Sequence, residues 1–370
     1  MIAEKKQISL HASTPVFDQI TALEHENLVF CHDKETGLKA IIGIHNTTLG
    51  PSLGGTRFWK YNSDAEAIYD VLRLSRGMTY KSSLAGINLG GGKAVIIGDP
   101  HKDKSEALWR RFGQFVNSLG GRYITAEDVG TNMSDMETIA LETKYVTGKP
   151  EYLGGSGDPS PFTAYGTYLG MKASVKHVFG NDSLEGKKIV VQGIGHVGQF
   201  LLEHLQKEKA KIIVSDIREE HLKIATSKYG ATVVDMDKIY DTDCDIYAPC
   251  ALGATVNSET IDRLKCSIIC GAANNQLEDE VIHGNMLKDK GILYAPDFLV
   301  NAGGVINVYM EWVGYNREKV MSHCDKIYDR TLEIIHIAEN EGITTHDAAV
   351  RSAEKRIRET ARLNAKRPNW

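Results

Sequence analysis

An apolar strand runs directly into a glycine-rich turn at Ile189-Val190-Val191-Gln192-Gly193-Ile194-Gly195-His196-Val197-Gly198. In this spacing the first glycine permits a tight turn, and the second lets a diphosphate approach the backbone. The third lets the following helix pack close to the strand. The N-terminus of that helix would face the phosphates. The context favours a dinucleotide site over the alternative, an ordinary turn between a strand and a helix.

The next strand ends in an acidic residue, as a dinucleotide site requires. Asp216 follows residues 213–215 and can accept hydrogen bonds from the hydroxyls of an adenosine ribose. Its charge would repel a 2′-phosphate, which favours NAD over NADP, although Arg218 leaves the choice open. The cofactor contacts expected in this region are Gly193, Ile194, Gly195, His196, Val197, Gly198, Gln199 and Asp216.

Strands and helices alternate around this motif. Because the strands are separated by helices at 199–208 and 218–229, we predict a parallel sheet covered on both faces. A chain of 370 residues also exceeds the usual size of one core. We therefore expect an α/β protein of two domains. They are an N-terminal α/β domain over 1–147, to which about 341–370 return, and a Rossmann-type doubly wound domain over 148–340.

Composition excludes several functional classes. The net charge is −5 without a dense basic patch, which argues against nucleic-acid binding. Residues 1–6 contain three charged side chains and lack the apolar core of a signal peptide, and no run reaches the ~18 apolar residues that a transmembrane helix needs. We expect a cytoplasmic protein with no membrane partner. The six cysteines form no Cys-x-x-Cys pair, so we expect them to be reduced and predict no metal site.

A second glycine-rich segment, Gly90-Gly91-Gly92-Lys93, carries a lysine. It is not a phosphate-binding P-loop, because Ile87 and Ala94 stand where glycine and a hydroxyl residue are needed. We predict a turn whose backbone approaches a ligand closely. Lys81 follows a helix predicted to end near Gly77, and Asp128 follows a short strand. A desolvated lysine near another cation has a depressed pKa and can transfer protons.

Seven segments in the same order resemble the amino-acid dehydrogenases, the superfamily that acts on glutamate, leucine, valine and phenylalanine. The leucine-acting branch resembles the chain most. The resemblance implies reversible, NAD-dependent oxidative deamination of an L-amino acid to a 2-oxo acid and ammonia, by a homo-oligomer. The N-terminal domain would then bind the substrate and hold the oligomer together. The segments are residues 51–57, 78–81, 90–93, 126–130, 163–166, 272–277 and 301–307.

The resemblance also implies roles for individual residues. Lys93 would activate water and stabilise the carbinolamine, and Asp128 would move the proton of the substrate amine. Lys81, assisted by Asn275, would bind the substrate carboxylate. Two further residues, Thr163 and Asn274, would contact the nicotinamide. The substrate pocket would be lined by Leu53, Gly54, Ala126, Val305 and Val308.

This apolar lining favours an aliphatic branched substrate, because a buried charge without a partner is costly. Glutamate-acting relatives carry lysine in place of Leu53 and a small hydroxyl residue near Val308. An aromatic substrate remains an alternative, because a difference of one methylene group in the pocket changes the free energy of substrate discrimination by only ~1–3 kcal/mol. The other alternative is a regulatory protein that binds NAD but does not catalyse a reaction. That alternative would require another residue in place of a catalytic lysine or aspartate.

Two positions depart from the pattern of the resembled branch, which carries asparagine at both. His196 lies in the glycine motif, where we expect its side chain to point to solvent. Asp158 precedes Pro159 in the turn-rich segment 154–161, which we predict to be a hinge. The sequence indicates no direction for the effect of Asp158.

Overall fold

The protein forms two compact units in a computed structural model that describes residues 11–365. The first unit comprises the described residues up to Gly157 and those from Ile357 onward, and the second comprises Asp158–Arg356. The boundaries predicted from the sequence were 147/148 and 340/341. In the structure both unit boundaries lie at higher residue numbers, after Gly157 and after Arg356.

The first unit is built on a five-stranded mixed sheet in the order β1-β2-β4-β3-β5. The strand β2 pairs antiparallel with β1 and β4, whereas β3 pairs parallel with β4 and β5. Apolar residues fill both faces of the sheet, and α2 covers one of them. The elements are α1 (Val16–Leu23), β1 (Asn27–Asp33), β2 (Leu38–Asn46), β3 (Ser52–Trp59), α2 (Asp64–Leu84), β4 (Gly90–Ile97), α3 (Glu106–Ser118), β5 (Tyr123–Glu127) and α4 (Met133–Ala140).

The second unit is a six-stranded parallel sheet in the order β11-β10-β9-β6-β7-β8. Read from β8, this is the doubly wound order of a dinucleotide-binding fold, and its direction reverses between β6 and β9. The predicted α/β class is confirmed. The elements are α5 (Ser160–Phe179), β6 (Lys188–Gln192), α6 (His196–Lys207), β7 (Lys211–Ser215), α7 (Glu219–Tyr229), β8 (Thr232–Val233), β9 (Ile246–Pro249), α8 (Ser258–Arg263), β10 (Ile268–Ile269), α9 (Glu280–Asp289), β11 (Leu293–Tyr294), α10 (Asp297–Val300), α11 (Gly303–Val313), α12 (Arg317–Glu341) and α13 (Thr345–Asn364).

The last helix, α13, belongs to both units, since its residues from Ile357 are grouped with the first. Near its end the Asn364 side chain donates a hydrogen bond to the Thr48 carbonyl oxygen at 2.9 Å. Across residues 11–365, no helix has both the length and the apolar character needed to cross a bilayer.

The triple glycine is strand rather than turn, which corrects the sequence prediction. Gly90, Gly91 and Gly92 open β4, and the close approach they permit is to the protein itself. A Cβ on Gly91 would lie 2.2 Å from the backbone nitrogen of Thr79 in α2. A Cβ on Gly54 of the adjacent strand would lie 1.7 Å from the Gly92 carbonyl oxygen. The glycines therefore let α2 and β3 pack directly on the backbone of β4.

The predicted end of α2 near Gly77 is also wrong, because the helix continues to Leu84. Gly77 is exposed, and a Cβ there would have no neighbour within 4 Å. A glycine inside a helix costs only about 1 kcal/mol relative to alanine, so packing of the rest of α2 outweighs it. Lys81 consequently lies in the last turn of this helix.

We predict opposite effects of alanine at these two glycines. Gly91→Ala should lower the free energy of unfolding by about 3 kcal/mol or more, because its Cβ has no room against α2. Gly77→Ala should raise it by about 1 kcal/mol, because only helix propensity changes. Urea unfolding of both variants measures the difference, and a Gly91→Ala protein as stable as wild type would contradict the packing described above.

Candidate active site

Lys93 is buried in the first unit, where its ammonium faces a carboxylate. The residue is 5% exposed, and its Nζ lies 2.9 Å from Asp128 Oδ1. Burial lowers the pKa of Lys93, and the nearby Arg57 guanidinium lowers it further, although Asp128 acts in the opposite direction. The side chain is thus held close to a proton acceptor with its charged form disfavoured.

Asp128 lies just after β5 and accepts two cationic donors. Its Oδ1 faces Lys93, and its Oδ2 accepts a hydrogen bond from Arg57 Nε at 3.1 Å. Burial alone would raise the pKa of Asp128, but the two cations outweigh burial and hold the pKa below its usual value. The Asp128 backbone N–H donates to Thr131 Oγ1 at 2.8 Å, which fixes the loop. Asp128 is therefore an ionised, oriented proton acceptor.

The sequence analysis assigned no role to Arg57, although it lies in one of the segments that carry the resemblance. Its Nη1 forms an ion pair with Asp70 Oδ2 of α2 at 2.9 Å, and the same oxygen accepts a hydrogen bond from the Tyr61 hydroxyl at 2.7 Å. Arg57 lies between Thr56 and Phe58, which are both fully buried in the structure. An arginine in such a strand needs counterions, and this requirement was the signal that could have identified its role.

Glycine also makes room for this ionic group. A Cβ on Gly55 would lie 2.9 Å from the Asp128 Cβ and 2.3 Å from the Glu127 carbonyl oxygen. Gly55 pairs with Ala126 across β3 and β5, and Ala126 and Leu53 are both buried. The first unit thus holds six of the residues predicted for the site, namely Leu53, Gly54, Lys81, Lys93, Ala126 and Asp128.

In the second unit the glycine motif has the geometry expected of a diphosphate cradle. Gly193 has a φ of 94°, and a Cβ there would lie 2.5 Å from the Ala251 Cβ. A Cβ on Gly198 would lie 2.5 Å from the Gly193 carbonyl oxygen, so this glycine allows α6 to approach β6. At Gly195, which caps α6, a Cβ would meet nothing within 4 Å. This open space at a helix N-terminus fits a diphosphate.

Asp216 lies beside this turn and is held by backbone donors. Its Oδ2 accepts a hydrogen bond from the Ile194 N–H at 2.6 Å, and its Oδ1 accepts one from the Arg218 N–H at 2.8 Å. Burial raises the pKa of Asp216, but these bonds outweigh burial and lower it, so the carboxylate is ionised. The His196 side chain at the same turn is exposed.

The other residues predicted for the site in this unit lie on separate elements. Thr163 is in the first turn of α5, where its hydroxyl donates to the Pro159 carbonyl oxygen at 3.2 Å. Val305 and Val308 are buried on α11. Asn274 and Asn275 lie in the loop after β10, and Asn275 has a φ of 51°.

A buried amide fixes the orientation of Asn274. Asn301 is 1% exposed, and its Nδ2 donates to Asn274 Oδ1 at 2.8 Å and to the Ala272 carbonyl oxygen at 3.1 Å. This hydrogen bond orients the Asn274 amide plane within the loop after β10. Asn301 lies in residues 301–307, one of the segments that carry the resemblance, and no role was predicted for it.

Both units match models of one enzyme family. Residues 25–145 match the Glu/Leu/Phe/Val dehydrogenase dimerisation domain, and residues 154–219 and 213–364 match the Glutamate/Leucine/Phenylalanine/Valine dehydrogenase domain. The chain belongs to the Glu/Leu/Phe/Val dehydrogenase family. The resemblance drawn from the sequence is confirmed.

Individual relatives agree with this family. The chain is 59% identical to leucine dehydrogenase of Thermoactinomyces intermedius over 92% of this chain and 93% of that protein. It is 56% identical to leucine dehydrogenase of Bacillus cereus over the same shares. The crystal structure of L-tryptophan dehydrogenase from Nostoc punctiforme superposes with a TM-score of 0.82 at 48% identity, covering 94% of this chain and 99% of that one. The protein is therefore an amino-acid dehydrogenase, an oxidoreductase of a family whose members use a nicotinamide cofactor.

Alanine at two glycines of the cofactor turn should have different effects, one on NADH binding and the other on thermal stability. Gly195→Ala should leave the melting temperature unchanged, because its Cβ is free of protein contacts, yet weaken NADH binding at least tenfold by filling the diphosphate approach. Gly198→Ala should instead lower the melting temperature, because its Cβ would strike the Gly193 carbonyl. Fluorescence titration with NADH and thermal unfolding distinguish the two. Undiminished NADH affinity in Gly195→Ala would argue against this turn as the cofactor site.

Proposed function

We propose that this dehydrogenase oxidises a branched aliphatic L-amino acid with NAD, giving the 2-oxo acid, ammonia and NADH in a reversible reaction. Leucine is the proposed main substrate, with valine and isoleucine also accepted. The observation that carries the proposal is the ion pair between buried Lys93 and partly buried Asp128, in a unit that also presents the apolar Leu53 and Ala126. The leucine dehydrogenases at 59% and 56% identity support the choice of leucine.

Protons are moved by Asp128 and Lys93 in this proposal. The substrate amine arrives as an ammonium and must lose a proton before hydride leaves Cα, and the Asp128 carboxylate accepts it. Water must then add to the imine carbon, and neutral Lys93 removes a proton from that water. Burial lowers the pKa of Lys93, which increases the fraction of neutral amine at a given pH. Lys81 and Asn275 hold the substrate carboxylate.

The second unit is proposed to hold NAD, which supplies the hydride acceptor when bound. Residues 193–199 would surround the diphosphate, and Asp216 would accept hydrogen bonds from the adenosine ribose. Because Asp216 is ionised and beside this turn, it would repel a 2′-phosphate. Thr163 and Asn274 would contact the nicotinamide, with Asn274 oriented by the hydrogen bond from Asn301.

The apolar lining supports the aliphatic specificity. Leu53 and Ala126 in the first unit, and Val305 and Val308 in the second, are buried and carry no polar side-chain atom. In either unit, a glutamate side chain packed against these residues would bury a carboxylate next to apolar side chains, which is costly without a partner. An aromatic amino acid is the second candidate substrate, favoured by the 48% identity to L-tryptophan dehydrogenase.

The proposal includes a homo-oligomer in the cytoplasm. The first unit matches a family model described as a dimerisation domain, which supports assembly of identical chains through that unit. All six cysteines are free thiols in the structure, as expected of a reducing compartment. No nucleic acid or membrane is proposed as a partner.

Spectrophotometric assay of NADH formation tests the substrate and the cofactor together. Purified protein is assayed with NAD or NADP and with L-leucine, L-valine, L-phenylalanine or L-glutamate at alkaline pH. We expect NADH formation with leucine and valine and little turnover with NADP. A preference for phenylalanine would move the assignment to the aromatic branch, and turnover of glutamate would contradict the argument from the apolar lining.

Removing the Lys93 amine should abolish most of the chemistry without affecting the cofactor unit. Lys93→Ala is expected to lower kcat by about 10²- to 10⁴-fold, the usual contribution of a positioned proton-transfer group, with NADH binding unchanged. Lys102→Ala is the matched control, because that lysine side chain is 78% exposed. Equal activity of the two variants would refute the role of Lys93.

Arg57 should control the pH dependence of the reaction. Its positive charge lowers the pKa of both Lys93 and Asp128, so Arg57→Gln should raise both values. Because Lys93 acts as the neutral amine, the acidic limb of the kcat/KM profile should move to higher pH. Arg57→Lys retains the charge and should keep the limb near its wild-type position. A uniform loss of activity at every pH in Arg57→Gln would assign Arg57 a purely structural role.

A further inference from the structure

Three metal-ligating side chains meet on two helices of the second unit, outside the predicted active site. His177 lies in the last turn of α5, and His336 and Glu339 lie three residues apart on α12. One ligand atom from each of the three residues lies within 4.8 Å of the other two. Among residues 11–365 this is the one group of three or more histidine, cysteine or acidic side chains with such spacing.

The distances suit a small transition-metal ion. His177 Nε2 is 3.1 Å from Glu339 Oε1, and the two imidazole rings have centroids 6.2 Å apart with planes at 65°. Tetrahedral zinc binds nitrogen and oxygen at about 2.0–2.1 Å, which separates its ligand atoms by roughly 3.4 Å. The His177–Glu339 distance is close to this value, and the third donor atom lies within 4.8 Å of the other two. Two imidazoles and one carboxylate are typical ligands of zinc and its neighbours rather than of calcium or magnesium.

The helices that carry these donors are packed against each other along their length. At the opposite end of α5 from His177, the Tyr165 hydroxyl donates to Asp325 Oδ1 of α12 at 2.7 Å. Val175 of α5 and Ile335 of α12, close to the three donors in sequence, are buried. Donors carried on packed helices are placed more precisely than donors on loops.

The cluster is open to an ion from solvent. His336 and Glu339 are exposed, and His177 is partly buried. His177 and Glu339 also line a groove of about 330 Å³ that gives access to them. An ion held by three protein donors in this setting would keep a coordination position for water.

We propose that His177, His336 and Glu339 bind one divalent transition-metal ion, with Zn²⁺ as the expected class, and that the ion clamps α5 to α12. Along α5, His177 is about 21 Å from Thr163 at the helical rise of about 1.5 Å per residue. The ion therefore takes no part in the proposed hydride transfer. Its effect is to hold the helix that carries Thr163. The proposal rests on the geometry of α5 and α12 and is independent of the substrate assigned above.

Calorimetric titration of the full-length protein with ZnCl₂ after EDTA treatment and dialysis tests the site. His336→Ala removes one donor, and because His336 is exposed the variant should fold and keep its basal turnover. The control is His101→Ala, another exposed histidine that lies in the first unit. We expect one equivalent of Zn²⁺ to bind wild type and His101→Ala. We expect its Kd to increase more than tenfold in His336→Ala.

Thermal unfolding of the same proteins gives a second measurement. Zn²⁺ should raise the melting temperature of wild type and His101→Ala, and have a much smaller effect on His336→Ala, because only a bound ion bridges the helices. Identical isotherms for wild type and His336→Ala would overturn the proposal, and so would an equal shift of melting temperature. Either result would leave only an ordinary surface hydrogen bond between His177 and Glu339.

Discussion

A lysine that is 5% exposed can remain in the first unit only because a balanced set of charges surrounds it. Lys93 and Arg57 share the Asp128 carboxylate, and Arg57 also binds Asp70, so two cations face two carboxylates. Removing one partner of a buried pair typically costs about 3–5 kcal/mol, because the other charge loses its compensation. The backbone around the group is correspondingly constrained, and glycine occupies Gly55, where any Cβ would meet the Asp128 loop.

The same arrangement determines the protonation states on which the proposed chemistry depends. Desolvation favours the neutral amine of Lys93, while the paired cations favour the ionised form of Asp128. Asp128 is thus suited to accept a proton from an ammonium, and the lowered pKa of Lys93 makes it easier for Lys93 to become the neutral amine that deprotonates water. The second unit uses backbone donors for a similar purpose, since the Ile194 and Arg218 N–H groups keep Asp216 ionised beside the cofactor turn.

Local signals in the sequence predicted the parts of the fold that depend on neighbouring residues. The strand, the glycine turn at Gly193 and the following helix are contiguous in the sequence, and strands and helices alternate around them, so the α/β class was predicted correctly. The function of the triple glycine depends on contacts with α2 and β3, which the sequence does not display, and its prediction as a turn was wrong. Arg57 was overlooked for a related reason, because its partners Asp70 and Asp128 belong to other elements. His177 and His336 are brought together only by the packing of α5 on α12.

The most direct test of this account is the pKa of Lys93 in the folded protein. Lysine side chains labelled with carbon-13 can be followed by NMR through a pH titration, with Lys93 assigned by its loss in Lys93→Arg. We predict that Lys93 titrates clearly below the ordinary lysine value of about 10.4. A Lys93 that titrates at or above that value would contradict it. The charged amine could not then serve as the base for water.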